Sequence, residues 1–167
     1  MEDYKKPYIK RPHYLKRIKP FMDKDIIKVI TGQRRVGKSY MLFQIMDELK
    51  HIYGDPGIIY INKELHEFDF IRNATDLLQY IKKERKEKEA DFVFIDEVQD
   101  ISNFEKALRS LQAEGKVNLF CTGSNATMLS GELATYLSGR YVEIKIYSLT
   151  YREFLNFHQL EDNNASF

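Results

Sequence analysis

The sequence predicts an α/β fold, a three-layer αβα sandwich built around a mainly parallel sheet of five strands. Five short runs rich in β-branched and aromatic residues alternate with segments whose apolar residues recur at helical spacing, the pattern of repeated βαβ units. One of these runs, residues 91–96, is apolar on both faces, as expected for a parallel strand that helices cover on both sides. A chain of 167 residues has room for about one such domain.

In chain order, the predicted helices and strands alternate almost without interruption. They are a helix at 12–21, a strand at 26–31, a helix at 40–50, a strand at 58–62, a helix at 74–89, a strand at 91–96, a helix at 103–115, a strand at 117–123, a helix at 126–138, a strand at 141–147 and a helix at 151–158. The strands follow from β-branched and aromatic residues, and the helices from apolar residues three and four positions apart.

Turn and capping residues place the boundaries between these elements. Prolines interrupt the basic and aromatic segment ahead of the first strand, and an Asp-Pro-Gly turn precedes the second. Asn73 is a suitable N-cap for the helix at 74–89, and Gly115 and Gly139 close two later helices. We therefore divide the chain into an N-terminal arm at 1–24, a core domain at 25–158 and a polar tail at 159–167.

Composition excludes several classes of protein. The 26 basic and 25 acidic side chains give a formal net charge of +1, which argues against a general polyanion binder. The single cysteine, Cys121, cannot form an intramolecular disulfide, so we expect a reducing, cytoplasmic setting. No apolar run approaches the ~18 residues of a membrane span, and the N-terminus lacks the apolar stretch of a signal peptide.

The first motif with chemical meaning is GQRRVGKS at 32–39, which fits G-x-x-x-x-G-K-[ST] between a predicted strand and a predicted helix. Its glycines let the backbone curl around a phosphate, and the following helix adds its positive N-terminal end. Lys38 is placed to reach the β- and γ-phosphates, and the Ser39 hydroxyl to ligate Mg²⁺. The predicted nucleotide-binding residues are Gly32, Gln33, Arg34, Arg35, Val36, Gly37, Lys38, Ser39 and Tyr40. The alternative is an ordinary glycine-rich turn, and Arg34 and Arg35 either attract phosphate or face a partner.

The second motif is FVFIDE at 92–97, where an apolar strand ends in two adjacent carboxylates. Ligands of open α/β sheets bind at the carboxyl ends of the strands, which is where these two acids fall. Asp96 is suited to hold the hydration shell of the magnesium ion, and Glu97 to orient and deprotonate an attacking water. The alternative is that both acids only begin a loop or cap the next helix.

These two motifs together resemble the AAA+ superfamily of P-loop ATPases. Within that superfamily, the chain most resembles a bacterial and archaeal AAA-type family whose ATPase module is usually followed by a C-terminal domain of unknown function. Three further segments support it: LFCTGSNA at 119–126 resembles the sensor 1 strand, LSGRY at 137–141 the Gly-Arg motif, and LTYREF at 149–154 the closing Leu-Ser-x-x-Glu-Phe segment. Ser148 stands where that family often has proline. The resemblance covers roughly residues 8–155 and implies a P-loop sheet of the ASCE type.

The resemblance also implies roles for two more residues. Ser124 would be the sensor 1 residue near the γ-phosphate, with Asn125 as the neighbouring candidate; either is also a good helix N-cap. Arg140 would be an arginine finger that reaches the γ-phosphate of a neighbouring subunit, which requires a homo-oligomer. The alternative for Arg140 is a cation at a helix C-terminus.

These observations predict a magnesium-dependent ATPase that couples the state of its nucleotide to a conformational change in itself or in a partner. Adenine is favoured because the Asn-Lys-x-Asp motif of GTPases is absent. One alternative is a non-hydrolysing nucleotide switch, since the chain stops soon after the fifth strand, without the usual helical lid. The chain would then be a fragment, a truncated product or one domain of a longer protein. A small-molecule phosphotransferase is a further alternative.

The basic and aromatic arm leaves two interpretations open. Basic residues that alternate with rings are able to grip DNA, as a single strand or along a duplex backbone. The favoured interpretation is an arm that packs across the core with its lysines in water.

Overall fold

The computed structural model describes residues 8–88, 91–124 and 136–160. Within these residues five parallel strands form one sheet in the order β2-β3-β4-β1-β5. The strands are β1 (Ile27–Gly32), β2 (Ile58–Asn62), β3 (Phe92–Asp96), β4 (Asn118–Ser124) and β5 (Tyr141–Ile146). The predicted α/β class and the parallel five-stranded sheet are confirmed, and the strand limits agree to within one residue.

The helices of the described residues lie at the predicted places. They are α1 (Pro12–Ile18), α2 (Lys38–Tyr53), α3 (Ala74–Lys88), α4 (Phe104–Glu114) and α5 (Tyr151–His158), with 3₁₀ turns at Lys19–Phe21, His66–Phe68 and Val98–Asp100. Asn73 caps α3 as predicted, since its side-chain oxygen accepts from the backbone N–H groups of Thr75 at 2.9 Å and Asp76 at 3.1 Å. The helix predicted at 126–138 lies almost wholly outside the described residues.

Helix α2 is longer than the sequence pattern predicts. It begins two residues earlier than expected, because the motif glycine Gly37 adopts a left-handed conformation (φ 96°) that caps it directly. It continues through Tyr53, and a second left-handed glycine, Gly54 (φ 82°), ends it. The helix therefore starts within the phosphate-binding motif itself, at Lys38.

Two hydrophobic clusters pack on opposite faces of the sheet, which makes the fold a three-layer sandwich. Alternate strand residues such as Val93 and Ile95 face the cluster that contains the inner faces of α3 and α4. Their neighbours Phe94 and Phe120 stack in parallel at 4.5 Å between ring centroids, within the cluster that contains the inner face of α2. Helix α1 packs onto this second cluster through Tyr14 and Ile18, so this part of the arm lies against the core.

The strand register brings different residues together at the two edges of the sheet. At the carboxyl edge, Gly32 pairs with Ser124 and Asn62 with Asp96, so polar residues and the glycine motif meet there. At the amino edge Ile27 pairs with Tyr141, directly after Arg140. Since β1 has 6 residues, the two edges are about 16 Å apart.

Among the described residues, no helix has both the length and the apolar character that crossing a bilayer requires.

Candidate functional site

The glycine motif forms a tight loop between β1 and α2. A Cβ atom on Gly32 would lie 2.5 Å from the carbonyl oxygen of Ile146 and 2.9 Å from Cγ2 of Val36, so only glycine fits where the loop passes the end of β5. Arg35 also has a left-handed backbone, with φ 66°. The first backbone N–H groups of α2 have no partner within the helix, and the loop curls around this helix end. A turn of this shape favours an anion.

Lys38 connects the glycine loop to the acidic motif. Its side chain is only 4% exposed, and Nζ donates to the carbonyl oxygen of Gln33 at 3.3 Å. The same Nζ lies 3.3 Å from Oε1 of Glu97. The ammonium group is therefore held inside the site, between the loop and the carboxylate.

Asp96 is fully buried at the end of β3, and two hydroxyl groups donate to its carboxylate. The donors are Thr122 and Tyr60, the latter at 3.2 Å. Burial raises the pKa of Asp96 above its ordinary value, while the hydrogen bonds from the hydroxyl groups oppose this rise. Hydrogen bonding from the Ser39 hydroxyl is among the influences that lower the pKa of Asp96, so the two predicted magnesium-binding residues lie near one another.

Glu97 follows with an unusual backbone, φ 56° and ψ 53°. Its backbone N–H donates to the Thr122 hydroxyl at 2.9 Å, and that hydroxyl in turn donates to Asp96. Its side chain has two neighbours, because Nε2 of Gln99 donates to Oε2 at 2.6 Å while Lys38 lies against Oε1. Lys38 and Gln99 therefore hold the partly accessible Glu97 carboxylate in place beside the end of β3.

Three residues of this site were not predicted from the sequence: Thr122, Tyr60 and Gln99. The sequence does contain a signal for Thr122, because it is a hydroxyl residue in an otherwise apolar strand and stands just before a glycine at the same sheet edge. The sequence contains no such signal for Tyr60, since a tyrosine inside a strand is ordinary core composition.

The other predicted residues are distributed over both edges of the sheet. Gln33, Arg34, Arg35 and Tyr40 are exposed around the loop. Ser124 ends β4 opposite Gly32, at the carboxyl edge. Its neighbour Asn125 lies outside the described residues. Arg140 is exposed at the amino edge, so it lies far from the glycine loop of its own chain.

Two cavities differ in their relation to the motifs. One of about 380 Å³ adjoins the glycine loop and is lined by Gln33, Val36, Lys145, Ile146, Tyr147 and Ser148. The larger one, an open groove of about 990 Å³ at the amino edge, contains no residue of the glycine motif and only Phe92, at the start of β3, of the acidic motif. We place the candidate site at the smaller cavity, because the loop and both acids lie at that edge of the sheet.

Comparison with protein families and relatives gives a consistent result. Residues 24–155 match a family model described as an AAA domain. An uncharacterized protein of Haemophilus influenzae is 40% identical over 161 residues, which cover 95% of this chain and 40% of the relative. The uncharacterized protein MJ1544 of Methanocaldococcus jannaschii is 42% identical over 132 residues, which cover 78% of this chain and 28% of the relative. The chain thus spans less than half the length of either relative.

Solved structures share the fold at low sequence identity. AMPPCP-bound DnaA from Aquifex aeolicus superposes with a TM-score of 0.55 at 16% identity, over 97% of this chain and 59% of that one. A DNA replication initiation factor gives 0.54 at 18% identity, over 94% and 55%. The genome packaging NTPase B204 of Sulfolobus turreted icosahedral virus 2, in complex with ATP-gammaS, gives 0.54 at 15% identity, over 83% of each chain. The fold is that of the P-loop NTPases.

Proposed function

Because the chain belongs to the family of AAA domains, we propose that it binds ATP together with Mg²⁺ and hydrolyses the γ-phosphate. One observation carries the proposal: Lys38, Ser39, Asp96 and Glu97 meet at one edge of the sheet, with Nζ of Lys38 3.3 Å from Glu97 and the Ser39 hydroxyl close enough to lower the pKa of Asp96. The ATP analogues bound to two of the structural neighbours support the choice of nucleotide.

The residues present fit a magnesium ion. A serine hydroxyl and a carboxylate are hard oxygen ligands, and the influence of the Ser39 hydroxyl on the pKa of Asp96 supports their placement beside one another. Within the described residues, no group of three His, Cys, Asp or Glu side chains is arranged for a metal. Mg²⁺ takes few protein ligands and completes its shell with water and phosphate oxygens. When bound, the ion neutralises charge on the phosphates.

We propose that the protein groups have separate roles in binding and hydrolysing ATP. The loop backbone and the start of α2 hold the phosphates, and Lys38 exchanges its contact with Glu97 for one with the β- and γ-phosphates. Glu97 then accepts a proton from the attacking water, and Gln99 keeps its carboxylate oriented. Ser124, at the same edge, supplies a polar contact near the γ-phosphate.

We place the base and ribose in the cavity of about 380 Å³ beside the loop. Gln33 and Val36 of the loop form one wall and the end of β5 forms the other, so a nucleotide lying there has its phosphates over the start of α2.

The direct test is phosphate release from ATP by the full chain. We expect steady release with Mg²⁺, and loss of release to background when EDTA removes the ion, since the phosphate charge is then uncompensated. GTP is the control nucleotide and should be hydrolysed more slowly. ATP binding without any release would favour a non-hydrolysing switch, and transfer of phosphate to a metabolite would favour a phosphotransferase.

We propose that Arg140 acts on a neighbouring subunit. Its exposed position, about 16 Å from its own glycine loop, places it too far from its own site and leaves it accessible to the site of a neighbouring subunit. Arg140→Ala should lower ATP turnover by about 10³-fold at concentrations where the chain assembles, without changing ATP affinity. Arg109→Ala, a substitution on α4, is the control. Unchanged turnover in Arg140→Ala would remove this role.

Coupling to a partner follows from the same proposal. Hydrolysis removes the contact that the γ-phosphate makes with Lys38 and consumes the water that Glu97 holds, and the loop and the β3 end then relax to a different arrangement. DNA as partner stays a prediction, as does a C-terminal domain of the kind found in the family that the sequence resembles.

A further inference from the structure

We propose that Arg11 is a positioning residue of the nucleotide site, and that its guanidinium fixes the glycine loop, the end of β5 and α5 as one unit. This inference rests on the proposed function, because the unit it describes forms the wall of the proposed base cavity. Arg11 belongs to the basic arm, yet it is 5% exposed and therefore does not take part in any surface contact with DNA.

The guanidinium satisfies all of its donors within the protein. Nε and Nη2 donate to the two carboxylate oxygens of Glu153, at 2.7 Å and 3.1 Å. Nη1 donates to the carbonyl oxygens of Tyr147 at 2.9 Å and Val36 at 3.4 Å, and Nη2 also donates to that of Ser148 at 3.3 Å. A guanidinium has five N–H donors, so five contacts use each of them once.

These acceptors belong to three separate parts of the chain. Val36 lies within the glycine loop, directly before Gly37, which caps α2. Tyr147 and Ser148 follow β5, and all three residues line the proposed base cavity. The Arg11 guanidinium therefore donates to carbonyl groups on both walls of the cavity and holds the two walls together.

Glu153 joins α5 to the same group. It is the N3 residue of a capping box in which Thr150 accepts from the Glu153 backbone N–H and the Glu153 carboxylate accepts from the Thr150 backbone N–H at 2.8 Å. Hydrogen bonding from Arg11 lowers the pKa of Glu153 to about 2. The carboxylate thus sets the start of α5 and binds Arg11 at the same time, so the position of the helix depends on the position of the guanidinium.

A second attachment holds the arm to α2. The backbone N–H of Arg11 donates to Oε1 of Gln44 at 2.7 Å, and Nε2 of Gln44 donates to the carbonyl oxygen of Ile9 at 3.3 Å. Gln44 is buried on the helix that begins at Lys38. Movement of the glycine loop when a phosphate binds is therefore transmitted to Arg11 from two sides, and from Arg11 to α5.

The test uses the conservative variant Arg11→Lys. A lysine keeps the charge but has one ammonium group, which cannot reach five acceptors in three directions. We expect the affinity for AMPPCP with Mg²⁺ to fall by about tenfold or more in a variant that still folds. Glu153→Gln should give a smaller loss in the same direction, and the double variant should lose less than the sum of the two losses.

The matched control is Lys19→Ala, which removes an exposed ion pair of the same arm with Glu48 of α2 at 2.9 Å, away from the glycine loop. Its AMPPCP affinity should stay within about twofold of the unmodified chain. Amide hydrogen exchange in α5 supplies the second measurement: AMPPCP should slow it in the unmodified chain and in Lys19→Ala, but not in Arg11→Lys.

The outcomes separate this inference from the proposed function. If the unmodified chain does not bind AMPPCP, the proposed function fails and this inference fails with it. If the unmodified chain binds and Arg11→Lys binds equally well, with only its melting temperature lowered, then Arg11 is structural and this inference alone is overturned. If Arg11→Lys does not fold, Glu153→Gln decides. AMPPCP affinity and α5 hydrogen exchange equal to those of the unmodified chain would overturn the inference about Arg11, and weaker AMPPCP affinity would support it.

Discussion

Glu97→Gln should abolish most ATP hydrolysis while leaving ATP bound. An amide cannot accept the proton of the attacking water, so phosphate release should fall by about 10²–10⁴-fold. ATP affinity should be unchanged or higher, because Lys38, now 3.3 Å from the Glu97 carboxylate, no longer has to leave an anionic partner to reach the phosphates. The measurements are steady-state phosphate release and equilibrium binding of ATP with Mg²⁺.

Asp100→Asn is the matched control for Glu97→Gln. It also turns an acid into its amide, three residues further along the chain, but Asp100 is exposed and touches neither Lys38 nor Asp96 through any hydrogen bond found among the described residues. Its turnover should match that of the unmodified chain. If Glu97→Gln also turned over ATP as fast as the unmodified chain, another residue would be the general base. Negligible phosphate release from the unmodified chain and from both variants would favour the non-hydrolysing switch.

The sequence was sufficient to locate the five strands, the helices of the described residues apart from the full length of α2, and the two motifs, since all of these depend on local pattern. Glycines at fixed spacing between a β-branched run and an amphipathic run need no tertiary information to indicate a loop that binds phosphate. An apolar strand that ends in Asp96 and Glu97 is equally local, because strand direction alone sends its end to the ligand-binding edge. The structure places both motifs at that edge.

The contacts that fix these side chains could not be predicted, because they join residues far apart in the chain. Thr122 lies 26 positions from Asp96 and Arg11 lies 142 positions from Glu153. Such pairs depend on the strand order β2-β3-β4-β1-β5, which places β4 between β3 and β1. Spacing and periodicity contain no information about that order. The sequence also presented Arg11 as one of many basic arm residues, and only its burial separates it from the exposed lysines.

Substitution of Lys38 should remove nucleotide binding rather than hydrolysis alone. Its ammonium is the one charged side chain of the loop that is buried and already directed between the loop carbonyl of Gln33 and the acidic motif. Hydrogen bonds to charged groups contribute about 1.5–3 kcal/mol each, so loss of its phosphate contacts should weaken ATP binding by at least about tenfold to a hundredfold. Lys38→Met tests this with little change in side-chain volume.

Lys50→Met is the control for Lys38→Met, since Lys50 is an exposed lysine on the same helix and should leave ATP affinity unchanged. Titration calorimetry with ATP and Mg²⁺ measures both variants, and their melting temperatures without nucleotide show whether each is folded. Lys38→Met leaves the Glu97 carboxylate without its cation, but that side chain is 15% exposed and keeps its hydrogen bond from Gln99, so the variant should fold. A folded Lys38→Met that binds ATP as tightly as Lys50→Met would mean that the loop does not hold the phosphates, and the ATPase proposal would then lose its physical basis.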